Sequence, residues 1–239
     1  MVSKGAYGSA YLLGPCSEGI PEFVAQFSGS GSYMIQNNSL TFMQQGSSQP
    51  FSISIWVYPT SYNGVIVDEQ ASSGWHDSWI ELVSGSVYIR TWPLTCINIG
   101  KLNTNQWSQI SMVGSISGTT LTYSGYINGV YGSGSSGTRQ TTNANPFYLL
   151  GAADTTNCGS GAAFQGLLSN YQFYNTSLSA NNIATLYMEG IGGAPIKLQN
   201  LAGWWPLNGN INDYSGNGNG GTSSGLSYTA SWYNNYVQP

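Results

Sequence analysis

The chain has 239 residues, only 6 % of them charged, and a formal net charge of −4 at pH 7. Ordinary soluble domains carry about 25 % charged residues, so this composition is typical of secreted or surface-displayed proteins whose solubility rests on uncharged polar side chains. The total of 5 Lys and Arg argues against a nucleic-acid partner, and no apolar run is long enough for membrane insertion. The N-terminal stretch does not resemble a signal peptide, so export would require a signal that is removed or lies outside this sequence.

Short strand-like segments separated by turn signals make up most of the chain. Alternation of apolar and polar residues, typical of half-buried strands, is clearest in FSISIWVYP. Ser84-Gly85 and Asn128-Gly129 favour tight hairpins. The predicted strand segments, in chain order, are 22–27, 33–36, 51–59, 64–70, 78–83, 86–92, 106–116, 121–132, 146–151 and 163–175.

One helix is predicted late in the chain, in SLSANNIATLYMEGIGG. Ser179 is a suitable N-cap, Ile183, Leu186 and Tyr187 share one face, and Gly190 ends the helix. Many short strands with a single short helix predict an all-β fold, an antiparallel two-sheet jelly-roll sandwich with one short helix on its C-terminal side.

Several segments then resemble, in order, the laminin-G-like domains of the concanavalin A-like lectin and glucanase jelly rolls. They are FSGSGSYM, FSISIWVYP, NQWSQISMVG, GYINGVYG and FQGLLSNYQFYNTSLSANNIATLY. The resemblance covers about residues 23–188, and the last segment is similar to the closing signature of the family. It implies the jelly-roll fold but no single function, since members bind glycans or proteins and some are enzymes.

The phrase WWPLNGNINDYSGNGNGG (204–221) is displaced relative to that family, in which it normally opens the domain. The resemblance therefore divides the chain into an N-terminal extension (1–22), a jelly roll (23–190), a connector (191–202) and a displaced first-strand segment (203–239). This last segment could fold back on its own domain, open a second repeat, or complete a neighbour's sheet through residues 203–236. A sheet edge left empty would expose unpaired backbone groups.

The segment 64–82 is the densest polar cluster and contains interleaved tryptophans. Aromatic faces stack on sugar rings and carboxylates accept hydrogen bonds from sugar hydroxyls, so this pattern predicts a glycan site. The predicted ligand-binding residues are Asp68, Glu69, Trp75, His76 and Trp92. Trp232 is a further candidate for an exposed platform, whereas Trp204 and Trp205, being consecutive, should face opposite sides of a strand.

Catalytic patterns are weak in the same segment. Asp68 and Glu69 are adjacent, so they point to opposite faces of a strand and do not form the carboxylate pair of a glycosidase. His76 is the single histidine of the sequence, and a lone histidine beside Trp and Asp is more often a hydrogen-bonded loop residue. The sequence therefore predicts a non-enzymatic protein, with glycoside hydrolase as the weakest alternative.

Oxygen-bearing side chains alternate in the displaced phrase and predict calcium as a cofactor, as does the family resemblance. The predicted ligands are Asn210, Asn212, Asp213 and Asn217. Because only one of the four is charged, the alternative is a ladder of Asx turns, in which Asn and Asp bond their own backbone.

Three further expectations concern an exported protein. Cys96 and Cys158 lie near strand ends and are the preferred disulfide pair, with three free cysteines as the alternative. Asn37 and Asn175 begin glycosylation sequons. The sequence predicts an extracellular or cell-surface binding or adhesion module, carbohydrate-binding and calcium-assisted, whose partner is a glycan or surface glycoprotein. The alternative is the subunit of a surface filament, a homo-polymer formed by strand exchange.

Overall fold

A computed structural model of the chain describes residues 20–36, 49–71, 76–91, 93–138, 146–151 and 157–239. Within these ranges, residues 71, 76, 146–149 and 234 are described by their backbone alone. Within these ranges there are fifteen strands, one α-helix and two short 3-10 helices, Leu198–Asn200 and Tyr233–Asn235. The strands are β1 (Val24–Ser28), β2 (Tyr33–Gln36), β3 (Phe51–Pro59), β4 (Gly64–Ala71), β5 (His76–Val83), β6 (Ser86–Ile89), β7 (Ile97–Lys101), β8 (Ser108–Ser117), β9 (Thr120–Ile127), β10 (Val130–Thr138), β11 (Pro146–Leu150), β12 (Gln165–Tyr174), β13 (Leu201–Trp205), β14 (Gly221–Ser224) and β15 (Ser227–Thr229), and the helix is α1 (Ala180–Met188).

The strands form two antiparallel sheets, which confirms the predicted sandwich. The first sheet has the order β10-β9-β8-β3-β12-β1-β15, with β13 added to β12. The second has the order β14-β2-β11-β4-β5-β6-β7. No helix in the described part of the chain is long and apolar enough to span a membrane.

Strand β3 shows how the sequence pattern produces the core. Its residues Ile53, Ile55 and Val57 belong to the buried apolar cluster between the sheets, together with Ile80 and Leu82 of β5. Alternation places the intervening side chains on the outer face of the first sheet. That face is also covered, since Ser52, Ser54 and Trp56 are all buried.

The outer face of the first sheet is covered by residues that follow β12. Helix α1 contributes Ile183 and Leu186 to one apolar cluster, and Trp232 packs with Trp56 and Trp107 in another. The indole N–H of Trp107 donates to the Trp232 carbonyl at 3.2 Å. Trp232 is only 2 % exposed, so its prediction as an exposed platform is wrong, because the C-terminal residues fold back over the sheet.

Local turn and cap signals are confirmed. Asn128 and Gly129 have φ of 51° and 76° between β9 and β10, the left-handed pair that a tight hairpin requires. The Ser179 hydroxyl accepts from the Asn182 N–H at 3.2 Å at the start of α1. Gly190, with φ of 81°, follows the end of the helix.

The displaced segment pairs with its own chain at three places. Strand β13 lies beside β12, with Trp205 opposite Tyr171, while β14 pairs with β2 and β15 with β1. The Trp205 ring is fully buried and stacks on Tyr171 at 5.2 Å, and Trp204 faces the other side, in the cluster with α1. This is the back-folded arrangement; assembly by strand exchange stays a prediction.

The chain crosses from one sheet to the other between β14 and β15. Gly225 allows this step, because its φ is 57° and a Cβ there would lie 2.7 Å from the Gly31 carbonyl oxygen. The Ser32 hydroxyl donates to the Gly225 carbonyl at 3.0 Å. Residues 221–229 therefore supply one of the two edge strands of each sheet, β15 beside β1 and β14 beside β2.

Candidate functional site

The predicted acidic site lies in the interior. Asp68 and Glu69 in β4 are 0 % exposed, and the Trp79 indole N–H donates to Glu69 Oε2 at 2.7 Å. Asp77 of β5 forms a buried ion pair with Arg90. This burial corrects the prediction for Asp68 and Glu69, because a carboxylate without exposed surface cannot touch a dissolved glycan.

The other predicted ligand-binding residues are described incompletely. Trp75 and Trp92 lie outside the described residues, and only the backbone of His76 is described, as part of β5. Their role stays a prediction. The sequon residue Asn37 also lies outside, whereas Asn175 is exposed just after β12, where its Oδ1 accepts from the Asn200 amide at 3.2 Å.

Glu81 of β5 holds a distant loop. Its Oε1 accepts from the Cys158 N–H at 2.8 Å and its Oε2 from the Ser160 N–H at 3.0 Å. The Ser78 hydroxyl also donates to Oε1. A disulfide joins Cys158 to Cys96, the pair preferred from the sequence, so this loop is attached both to β5 and to the segment before β7. We call this arrangement the Glu81 anchor.

Asp213 holds a loop in the same way, within the displaced phrase. Its Oδ1 accepts from the N–H groups of Trp204 at 3.0 Å and Ser215 at 2.8 Å. Its Oδ2 accepts from the Ser215 hydroxyl at 2.9 Å and the Asn219 N–H at 2.7 Å. These four donors occupy the lone pairs of the carboxylate. We call this arrangement the Asp213 anchor.

The predicted calcium ligands form turns in this structure. Asn210 Oδ1 accepts from the Asn212 N–H at 2.9 Å, and the Asn217 amide donates to the Leu201 carbonyl at 2.8 Å. The one charged candidate, Asp213, has both oxygens bonded to protein donors, and the Asn210 and Asp213 contacts to the N–H two residues on match the ladder of Asx turns. Among the described residues, no cluster of three or more His, Cys, Asp or Glu could hold a metal. Calcium binding itself stays a prediction.

A surface groove lies between the connector and the Asp213 anchor. Its volume is about 280 Å³, and none of the residues that line it is charged. We call it the Tyr214 groove. Its lining residues are Ala194, Pro195, Leu198, Leu201, Trp204, Tyr214, Ser215 and Gly216.

The aromatic side of the groove follows from β13 and the loop after it. Trp204 lies on the outer face of the first sheet because Trp205 faces the core. The Trp204 ring is largely buried there, and its indole N–H donates to Asn170 Oδ1 at 2.8 Å. The Tyr214 N–H donates to the Trp204 carbonyl at 2.7 Å. This contact sets the two rings edge to face, with centroids 6.1 Å apart.

The opposite side of the groove is the connector, which two buried side chains of β12 hold in place. Asn170 has φ of 51° at an irregularity in the strand, and its amide donates to the Gly193 carbonyl at 2.9 Å. The Tyr174 hydroxyl accepts from the Ile196 N–H at 3.2 Å. Burial raises the pKa of Tyr174 well above its usual range, although the bond from Ile196 opposes this increase. The phenol is therefore neutral at physiological pH.

Comparison with known proteins places the chain in a family. Residues 28–184 match the family model described as the concanavalin A-like lectin/glucanases superfamily. The chain belongs to this superfamily. No curated protein matches it in sequence.

Solved structures share the fold of this lectin-superfamily chain at low identity. A Bacteroides ovatus protein, provisionally assigned as carbohydrate-binding, has a TM-score of 0.61 at 13 % identity and covers 87 % of this chain. The chain spans 60 % of that protein. The heptameric SAP-like pentraxin of Limulus polyphemus has a TM-score of 0.57 at 15 % identity, covering 86 % of this chain and 94 % of its own.

The groove lies outside the part of the lectin-superfamily chain that the family model matches. The match ends at residue 184, whereas the lining residues fall between 194 and 216. The sequence does contain a signal, since Trp204 and Tyr214 both stand in the displaced phrase, but that phrase predicts a metal loop. The connector gives no sign that it forms the other wall.

Proposed function

We propose that the protein is a carbohydrate-binding module that holds a glycan in the Tyr214 groove. The observation that carries this proposal is the groove itself, an uncharged recess lined by Trp204 and Tyr214 on a sandwich of the lectin superfamily. Ligand sites are concave and mainly apolar, with a few polar groups that fix orientation. Its volume is just below the usual lower limit of about 300 Å³, which suits one sugar unit of a chain.

The proposed role is binding without catalysis. The acids of β4 and β5, the alternative catalytic groups, are 0 % exposed, and no carboxylate lines the groove. We also place the protein outside the cell or on its surface, where its disulfide would persist. The assignment of the Bacteroides ovatus protein to carbohydrate binding agrees with this proposal.

A glycan array with the wild-type protein and the variants Tyr214→Ala, Tyr233→Ala and Trp75→Ala tests the proposal. Tyr214→Ala removes the half-buried ring of the groove, and we expect signals to fall roughly three- to tenfold, because aromatic contacts contribute about 1 kcal/mol beyond their buried area. Tyr233→Ala is the matched control, since Tyr233 is 60 % exposed and does not line the groove. Its signals should stay within twofold of the wild type.

Two results would overturn parts of the proposal. A wild-type protein that retains no glycan on the array would reject carbohydrate binding. Retention that survives Tyr214→Ala but is lost in Trp75→Ala would reject the groove and place the site in the segment first predicted from the sequence.

A further inference from the structure

We infer that the Tyr214 groove selects neutral sugars that carry a methyl group, namely 6-deoxyhexoses and N-acetylhexosamines, over their counterparts that lack it. This inference rests on the proposed function and names the ligand class of the same groove. It follows from three features of the lining: its apolar wall, the small number of hydrogen-bonding side-chain groups left for a ligand, and its lack of charge.

The connector wall is apolar. Pro195 and Leu201 are buried at the base of the groove, and Leu198 is 56 % exposed at the rim. A sugar hydroxyl placed against these side chains would lose hydrogen bonds to water and gain none, which is costly. A methyl group in the same position would gain from leaving water.

Most polar groups of the lining side chains are already engaged by protein partners. The Trp204 indole N–H donates to Asn170, and the Ser215 hydroxyl donates to Asp213. The Tyr214 hydroxyl accepts from the Asn210 amide at 3.2 Å and so keeps its own proton available. Among the lining side chains, all of them described, Tyr214 is therefore the hydrogen-bond donor for a ligand, which suits one sugar hydroxyl rather than four.

The lack of charge in the lining selects against anionic sugars. None of the residues that line the groove is charged, and the nearby carboxylate of Asp213 is bonded to four protein donors. A carboxylated or sulfated sugar would therefore meet no cation in the groove. Because both walls are held by hydrogen bonds to β12 and to Asp213, little ordering is needed when a ligand binds.

Matched sugars that differ at the methyl position test the inference. L-fucose and L-galactose differ only at carbon 6, where fucose has a methyl group and galactose a hydroxymethyl group. N-acetylglucosamine and N-formylglucosamine, which differ only in that the first has a methyl group on the amide carbon and the second a hydrogen, form the second pair. We expect the methyl-bearing sugar of each pair to bind roughly tenfold more tightly in titration calorimetry or competition NMR, the lower end of the discrimination that one apolar group provides.

The variant Leu198→Asn makes the rim of the groove polar at an exposed position, so folding should be retained. We expect it to reduce the fucose-to-galactose ratio to within about twofold of one, since the methyl contact is lost. Met188→Asn is the control, because Met188 is 60 % exposed on α1 and lies outside the groove. It should leave the ratio unchanged.

The outcomes separate the two proposals. Sugars that bind the wild type without a preference for the methyl group would overturn this inference and leave carbohydrate binding intact. Equal effects of Leu198→Asn and Met188→Asn on the ratio would also overturn it. If no sugar binds the wild type, the proposed function fails and this inference fails with it.

Discussion

The Glu81 anchor and the Asp213 anchor use the same chemistry at different ranges along the chain. Each is a carboxylate that accepts backbone N–H groups and one serine hydroxyl. The loop held by Glu81 lies 77 to 79 residues away, whereas all partners of Asp213 lie within 9 residues. Glu81 is fully buried and Asp213 is partly exposed. A short-range anchor can be recognised in a sequence, and a long-range one cannot.

The largest expected effect is at Glu81. In Glu81→Ala the N–H groups of Cys158 and Ser160 lose their acceptor, and Ser160 is buried. We expect the free energy of unfolding to fall by about 3 kcal/mol, because buried donors left without partners are costly. Urea unfolding under non-reducing conditions measures this loss. Glu81→Gln, which keeps the size and one acceptor, should lose less; equal losses would show that shape and not the acceptor oxygens matters.

Asp213→Ala should cost less than Glu81→Ala, about 2 kcal/mol, because water can reach part of the released loop and replace lost bonds. The same urea measurement tests this ranking, and a larger loss than at Glu81 would contradict it. We also expect the melting temperature of the wild type to be the same in millimolar Ca²⁺ and in chelator. A calcium-dependent increase that Asp213→Ala abolishes would instead support the calcium site predicted from the sequence.

A smaller effect on stability is expected at Tyr174. Its hydroxyl accepts a backbone N–H of the connector, as the two carboxylates accept backbone N–H groups of their loops. Burial raises its pKa above the value near 10 of an unfolded tyrosine. Stability is therefore fully present below pH 10 and falls above it, since the unfolded chain loses its proton first. Each such group contributes a slope of about 1.4 kcal/mol per pH unit. Because the unfolded tyrosine is only half ionised at pH 10, Tyr174→Phe should reduce the loss of stability between pH 10 and 11 by about 1 kcal/mol; an unchanged loss would contradict the assignment.

The elements predicted well from the sequence are those set by local signals. The predicted bounds of β2 and β3, 33–36 and 51–59, are those of the structure, because turn-forming Gly, Ser and Asn residues flank the apolar run of β2 and apolar residues alternate with serine at the start of β3. Asn128-Gly129 and the Ser179 cap are equally local. By contrast β14 and β15, with sequences GTSS and SYT, have no apolar alternation. They form strands because their backbones pair with the exposed edges of β2 and β1.

The site was harder to predict, for reasons of register and distance. Register shifts on either side of Val67 change which side chains of β4 face inward, so the burial of Asp68 and Glu69 could not be derived from alternation alone. The connector wall of the Tyr214 groove is held in place by two hydrogen bonds, one donated by Asn170 to the Gly193 carbonyl and one accepted by Tyr174 from the Ile196 N–H. Such contacts depend on the finished first sheet and leave no pattern in the sequence.

The crossing between β14 and β15 has a consequence for how the chain is made. A ribosome adds residues from the N-terminus, so β1 and β2 lack these edge partners in the growing chain until residues 221–229 have been added. One short stretch, turning at Gly225, then pairs with both β2 and β1. Until that moment β1 and β2 each have an open edge, the feature that invites pairing with other chains. Afterwards β14 and β15, of 4 and 3 residues, form these edges instead, and very short edge strands offer less to a foreign strand.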